Sequence, residues 1–476
     1  MYMKNRIWRQ LLLAVFFAIV MLAAAIVLYI MNVRISAYPY DTSMDYNYDF
    51  NGTDAEIIDL YLNDGKLKLP VLHDSNYSLF LKIEINTTFM GRFFQPEARL
   101  SADKVSVSDY FENGAKGIRY INISPFASLY PVGGELKDSV DLKITGTRVC
   151  FKDQPVQLIM FKNREVIKSK ILIIAPHPDD AEIAAFGLYS SNMGSYVITI
   201  TAGDAGTYQY DELYTNRKNH FLKKGKIRTW NSITVPLLVG ISPAQVLNFG
   251  FFDGTLNTMF KINPSSVKAL YAGISNINIF RKQNISPLSA LLEGESNWES
   301  LVDNFENILN QIQPDIIVTP YPALDKHPDH KFTSIALFEA IKRADIRQGS
   351  LYFYTNHFVL NEYYPYGNMG GVISLPPAFK ESIYFKSIYS HPLSAGKQKD
   401  KILSLEAMND LRPDTTWRFS KEALNMALVS LKRDIFGQNI SYYRRAVRNN
   451  ELFFVVDIKD IYDNQILNRI TGVVDK

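Results

Sequence analysis

The chain has 476 residues, 47% of them hydrophobic and 21% charged, with a formal net charge of +3. That is an ordinary globular composition with room for more than one domain; it argues against a disordered chain, and no nucleic-acid partner is expected from so small a charge. A lone cysteine, Cys150, excludes an intrachain disulfide and any thiolate metal site.

The first predicted element is a membrane anchor. Leu11 to Met31 carries no charged residue and is long enough to cross a bilayer as a helix. Lys4, Arg6 and Arg9 precede it; Arg34 and then Asp41, Asp45 and Asp49 follow. The positive-inside rule places residues 1–10 in the cytoplasm and everything beyond residue 32 outside, as a type II single-pass protein with a periplasmic or extracytoplasmic body. Ala23-Ala24-Ala25 mimics a signal-peptidase site, but Ile26-Val27-Leu28-Tyr29-Ile30 continues the apolar run past it, which favours an uncleaved anchor over a signal peptide. Residues 32–55, polar and rich in Asp and Tyr, read as a stalk.

From 56 to 165 the pattern has period 2. Leu81, Ile83 and Ile85 alternate with Lys82 and Glu84, and Val140, Leu142 and Ile144 with Asp141 and Lys143. Turn signals at Asn113-Gly114 and Val132-Gly133-Gly134 separate the runs, so a small all-β, sandwich-like domain is expected. Its one histidine, His73, has no partner in sequence. The character then changes for residues 168–476. Strand-like Ile171–Ala175, a small-residue helix over 182–192 and strand-like Tyr196–Ile200 make a βαβ unit. Residues 257–295 have no clean period and read as a long irregular insertion. Ser296-Asn297-Trp298-Glu299 has capping-box form and opens a helix with Leu301, Val302, Phe305, Ile308, Leu309 and Ile312 on one face. Pro314 ends it and a strand over 315–319 follows. Residues 397–448 read as two helical pieces broken at Leu411-Arg412-Pro413-Asp414, and 451–456 as a last strand. The alternation predicts an α/β domain with a Rossmann-like, mostly parallel sheet.

Two clusters carry the chemistry. His177-Pro178-Asp179-Asp180 follows the strand-like run 171–175, and His327-Pro328-Asp329-His330 follows Ile316-Ile317-Val318. Taken singly, each reads as well as a turn or a helix cap. In an open α/β sheet, however, ligands bind at the carboxyl ends of strands, where the two clusters can converge. Three His and Asp ligands plus a water is the pattern of a catalytic zinc site.

These residues, together with Thr201-Ala202-Gly203-Asp204-Ala205-Gly206 and Phe249-Gly250-Phe251-Phe252-Asp253-Gly254-Thr255-Leu256, resemble the PIG-L/LmbE-like family of metal-dependent N-acetylglucosaminyl deacetylases. The resemblance covers roughly residues 168–345. It implies His177, Asp180 and His330 as metal ligands, Asp179 as general base, and His327 as the group that polarises the carbonyl or protonates the leaving amine. It also places Asp204 and Asp253 in loops near the site, as candidate substrate contacts unless they serve only turn chemistry. Asp329 is expected to orient His327 or cap its helix, a supporting role. Arg228 is a candidate substrate contact, although Asn231 stands where family members often carry Glu. His220 and His357 read as ordinary histidines, and His391 follows a segment only loosely like the family's later motif.

The expected activity is zinc-dependent removal of an acetyl group from an N-acetylated amino sugar in a glycan, glycolipid or cell-wall precursor, giving a free amine and acetate. Ligand type leaves iron or cobalt open beside zinc. Two rival readings are a hydrolase of another N-acyl amide and a non-catalytic glycan-binding scaffold.

Overall fold

The computed structural model describes residues 2–35, 38–72, 75–130, 139–206, 213–379, 383–408 and 442–472. His73, the 132–134 turn and the expected break at 411–414 lie outside the described residues. Helix α1 (Tyr2–Ile35) contains the apolar stretch, with no Gly or Pro between Trp8 and Met31 to interrupt it. Its Trp8–Tyr29 segment has mean hydropathy 3.2 and is wholly unburied, so it is long and apolar enough to cross a membrane; a signal sequence has the same properties.

Among the described residues nine strands follow: β1 (Glu56–Leu62), β2 (Lys66–Leu69), β3 (Tyr77–Thr87), β4 (Glu97–Ala102), β5 (Val105–Tyr110), β6 (Lys116–Asn122), β7 (Val140–Thr147), β8 (Val149–Cys150) and β9 (Gln154–Lys162). They pair as two antiparallel sheets, ordered β1-β9-β3-β6 with β8 beside β3, and β2-β7-β4-β5. Asp64-Gly65, with φ of 47° and 67°, makes the tight β1–β2 turn that favours such residues. The alternation read from the sequence is the burial pattern: Leu81, Ile83 and Ile85 share one core cluster with Leu100, Leu142 and Ile144 of the second sheet.

The other face of the first sheet is also buried, by the stretch expected to be a stalk. Tyr48 stacks edge-on against Tyr120 of β6 at 5.1 Å, and Phe50 sits 5.9 Å from Phe385. Tyr38, Tyr46 and Tyr48 are buried, with Tyr48 Oη donating to Pro376 O at 2.6 Å and Tyr46 Oη donating to the Glu112 carboxylate. Residues 38–55 are therefore a strap wedged between the first sheet and the following region. Tyrosine accounts for the difference: it looks polar in sequence, yet its ring buries well once its hydroxyl finds a partner.

The remainder is a mixed α/β region on a seven-stranded sheet: β10 (Ile171–Ala175), β11 (Ser195–Thr201), β12 (Val246–Phe251), β13 (Ile316–Pro320), β14 (Ser350–Tyr354), β15 (Ser387–Pro392) and β16 (Asn450–Asp457). The order is β12-β11-β10-β13-β14-β16-β15; the first four junctions are parallel and the last two antiparallel. Alternate residues of β10 enter different clusters: Leu172 and Ile174 face α6 (Trp298–Ile312) and α7 (Pro328–Arg343), while Ile171 and Ile173 face α2 (Asp180–Ser190). Burial on both faces explains why these strands read as unbroken apolar runs.

Two local readings shift. Helix α6 is capped by Asn297, whose side chain accepts from Ser300 N at 2.8 Å, not by Ser296; Glu299 instead meets Arg343 at 2.8 Å. The 257–295 insertion is ordered, holding Leu256–Lys261 and Asn278–Arg281 as short helices and burying Val267, Ala269, Ala272, Ile277 and Phe280.

Candidate metal centre

Parallel pairing of β10 with β13, in register Ile171↔Ile316 to Ile173↔Val318, brings the two His clusters to one sheet edge. The chain proceeds from β10 to β11 on one side, while β13 lies on the other. The clusters thus occupy the crevice where the strand order reverses, the usual ligand position in such sheets. Pro178 and the Asp179 turn launch α2 with Asp180 as its first residue, and His327 caps α7, its Nδ1 accepting from Asp329 N at 3.3 Å.

Three atoms converge. Asp180 Oδ2 lies 3.2 Å from His177 Nδ1 and 3.0 Å from His330 Nε2, and the two ring nitrogens are 3.3 Å apart. The opposite nitrogen of each ring faces a carboxylate. His177 Nε2 lies 3.2 Å from Asp253 Oδ1 and 3.3 Å from Asp329 Oδ2; His330 Nδ1 lies 2.9 Å from Asp325 Oδ2. Those carboxylates accept the imidazole N–H on the far side of each ring, which leaves His177 Nδ1 and His330 Nε2 as the nitrogens that would face a metal beside Asp180. Asp180 is itself oriented: its Oδ1 accepts from Asn356 Nδ2 at 2.7 Å and its Oδ2 from His177 N at 2.9 Å.

The electrostatics fit a cation. Burial disfavours charge on His330, yet Asp180 and Asp325 outweigh it and raise its pKa to about 10. His177 is likewise pushed up by Asp253, Asp180 and Asp329 against the cost of burial. Four buried or half-buried carboxylates around two imidazoles make a field that a divalent ion satisfies, and the donor set of two nitrogens and one oxygen suits zinc. The ring nitrogens of His177, His327 and His330 also lie within 4.8 Å of one another, as do the ligand atoms of His177, Asp253 and Asp329, so His327 and the two acids border the same spot.

The partly buried rim differs in kind. Asp179 sits at φ 129°, a strained conformation for a residue with a side chain, and its Oδ2 is 3.1 Å from Arg228 Nη2. Arg228 Nη2 also donates to Pro178 O at 2.7 Å. Gly203 makes room for that arm, since a Cβ there would stand 2.8 Å from Arg228 Nη1. Burial lowers the His327 pKa to about 4, assisted by the nearby His177 and His330. With Nδ1 accepting from Asp329 N, neutral His327 keeps its proton on Nε2.

The sequence-predicted residues therefore gather, in varied positions. Asp253 touches His177, whereas Asp204 accepts from Asp253 N at 2.9 Å and shapes that loop. Asp329 accepts from Gly254 N at 2.6 Å and Leu256 N at 3.1 Å, tying α7 to the 253–256 turn. Sequence reading missed three residues. Asp325 and Asn356 hold His330 and Asp180, and His357, taken as ordinary, places its ring 5.4 Å from that of His327 with Nδ1 3.4 Å from Glu362 Oε2. Asp325, two residues before a clustered His, was the one with a readable signal. His220 and His391 are buried elsewhere, His391 Nδ1 lying 2.9 Å from Tyr389 Oη.

Residues 172–341 match the family described as PIG-L, GlcNAc-PI de-N-acetylase. The match is to this segment of the chain. A curated relative, the probable N-acetyl-alpha-D-glucosaminyl L-malate deacetylase 2 of Bacillus subtilis (strain 168), is 26% identical over 187 residues, which is 37% of this chain and 62% of that protein. Solved structures similar to the chain include the A40926 pseudoaglycone deacetylase Dbv21 (15% identity, 61% of this chain and 98% of that one, TM-score 0.31) and the conserved protein TT1542 from Thermus thermophilus (16%, 60% and 94%, TM-score 0.29). The matched segment contains every predicted ligand, and Asn356 and His357 lie beyond its end.

Proposed function

We propose that this protein is a metal-dependent deacetylase of N-acetylated amino sugars, with zinc as the metal and a glycan, glycolipid or cell-wall precursor as substrate. The observation that carries the reading is the convergence of His177 Nδ1, Asp180 Oδ2 and His330 Nε2 beside a separate, partly buried carboxylate, Asp179. In this reading the central sheet is Rossmann-like, the two-sheet region is a sandwich, and α1 anchors the body outside the cytoplasm.

His177, Asp180 and His330 hold the metal, with Asp325, Asp253 and Asp329 fixing the imidazoles. When bound, the ion supplies Lewis acidity that polarises an acyl carbonyl and acidifies water. Asp179 accepts the proton of the attacking water and delivers it to the departing nitrogen; the C–N bond breaks and acetate and a free amine result. Arg228 holds that carboxylate in place through their 3.1 Å contact. Neutral His327 offers its Nε2–H to the acyl oxygen as negative charge builds there. An amide needs all three: a nucleophile, a proton path to a poor leaving group, and a donor at the oxyanion.

Acetate release from a panel of N-acetylated sugars, glycolipids and oligomers tests this, run with zinc, with chelator and with Asp179→Asn. The expected result is metal-dependent release that falls by about 10²–10⁴ in the variant, the usual worth of a positioned general base, with bound metal unchanged. Tight metal binding without acetate release from any substrate sinks the acetyl-sugar assignment in favour of another acyl group. Absence of both metal and activity leaves a glycan-binding scaffold.

A further inference from the structure

Among the described residues of the two-sheet region, no large apolar side chain is more exposed than Phe89, in the turn between β3 and β4. It leaves 69% of its surface open, and Met90 beside it 49%. The turn, Phe89–Arg92, is well made. Gly91 N donates to Thr88 O at 2.9 Å, Phe93 N donates to Met90 O at 3.1 Å, and the Phe89 ring meets that of Phe93 edge-on at 5.3 Å. Two apolar side chains held side by side in water gain nothing from that position unless something covers them. Two arginines flank the pair. Arg92 closes the turn and is exposed; Arg148 is exposed too, its guanidinium 5.2 Å over Phe94 and its carbonyl accepting from Thr88 N at 2.9 Å.

The turn is fastened to the start of the strap. Gly91 O accepts from Gly114 N at 3.0 Å and from Asn113 Nδ2 at 3.3 Å, and Asn113 Oδ1 accepts from Tyr38 Oη at 3.4 Å. Thr42 Oγ1 donates to Asn113 O at 3.2 Å, a second tie at the same corner. The neighbouring acid on the strap, Asp41, is turned onto its own chain, accepting from Ser43 N at 2.9 Å and Ser43 Oγ at 2.7 Å. Tyr38 lies three residues beyond Ile35, the end of α1, so at most about 11 Å of extended chain separates them. An apolar helix therefore ends a short span from an exposed apolar and basic turn, and the chain is tied to that turn at once.

We propose that the Phe89–Arg92 turn is a second membrane contact. Phe89 and Met90 enter the interfacial layer of the bilayer that α1 spans, and Arg92 meets anionic lipid phosphates, with Arg148 adding positive charge behind it. The inference rests on the reading of α1 as an anchor. Its partner is the bilayer surface as a whole. Entry removes two apolar side chains from water, and an arginine–phosphate pair adds charge-assisted hydrogen bonds. A body held at two points keeps one tilt, whereas a body held by a single tether can turn about it.

Depth measurement by electron paramagnetic resonance tests the contact, on full-length protein in vesicles of mixed phosphatidylcholine and phosphatidylglycerol. Cys150→Ser removes the lone thiol, and a nitroxide is attached in separate samples at Met90→Cys, at Val20→Cys in α1, and at Leu238→Cys, an exposed position of the α/β region. The expected result is that labels at 90 and 20 are sheltered from a water-soluble nickel complex while the label at 238 is open to it. Phe89→Asp, checked for an unchanged unfolding temperature, raises nickel access at 90 about tenfold, the equivalent of one phenylalanine side chain returned to water. Arg92→Glu, or omission of phosphatidylglycerol from the unsubstituted protein's vesicles, also raises it. A label at 90 as open as that at 238, with 20 sheltered, overturns the proposal and leaves the anchor standing. Shelter at 90 with access at 20 keeps the contact and removes the anchor. Access at both overturns the two together.

Discussion

Asp325 shows how much of the site's character resides in residues that never reach a ligand position. Its carboxylate receives His330 Nδ1 and the backbone N–H groups of Asn356 and His357 on Oδ2, while Oδ1 receives His327 N. One side chain therefore sets a ligand's tautomer, caps a loop and steadies the start of α7. Asp325→Asn retains the shape but offers an amide where an anion belongs, and metal affinity is expected to fall about 10–100-fold. Competition with a chromophoric chelator measures it; an unchanged affinity removes Asp325 from the supporting shell. The ligand candidates were legible because His-Pro-Asp-Asp and His-Pro-Asp-His are compact and follow strands. Asn356 and His357 were not: they arrive on the loop after β14, and only the sheet order brings that strand beside β13. Arg228 was visible as a residue but not as the partner of Asp179, because a contact between a helix and a turn 49 positions apart has no local pattern.

Helix α2, which carries Asp180, is not a regular helix. Ala185 departs from helical geometry (φ −139°, ψ 19°), and a buried ion pair occupies the break. Gly187 N and Leu188 N donate to Glu451 at 2.8 and 3.0 Å, while Lys401 Nζ donates to Ile183 O and to Glu451, both at 2.9 Å. The kink's released backbone groups thus find charged partners from α8 (Ala395–Ala407) and β16. Lys401→Met leaves Glu451 buried without its cation, and a loss of about 3–5 kcal/mol is expected, the range for breaking a buried pair, read by urea unfolding. The sequence pattern exposed α2 as small-residue helix but could not reveal the break, whose cause lies more than two hundred residues downstream. Strand β5 holds a second buried charge. Burial raises the Asp109 pKa to about 7, partly offset by Ser374 Oγ donating at 2.6 Å. Since the folded state then binds a proton that the unfolded state releases near pH 4, this group's contribution is complete below about pH 4 and is lost as pH rises to about 7. The penalty is roughly 4 kcal/mol at most. Unfolding temperatures from pH 4 to 7 should fall less steeply in Asp109→Asn; parallel profiles contradict the assignment.

At the scale of the molecule, the sequence announced its sheets and helices but misread how they are joined. Period-2 runs and buried strands survive because each pattern is local, whereas the strap's docking depends on aromatic rings from three distant stretches meeting around Tyr48, Tyr120 and Phe385. Truncation separates the two views. A chain starting at residue 38 keeps the wedge and is expected to remain monodisperse by size exclusion. A chain starting at residue 56 uncovers Phe80, Tyr120 and Phe161 and is expected to aggregate or to unfold at least about 10 °C lower, as loss of several buried rings implies. Equal behaviour of the two would return residues 38–55 to the status of a passive linker. The wedge bears on the proposed anchoring. Were α1 to sit in a bilayer, the few residues between its end and the docked strap would keep the body from drifting away from the surface. Its reach would be a thin layer. Turnover would then be counted per area of membrane, and crowding of acceptor groups on the surface, not their concentration in the surrounding fluid, would set the pace.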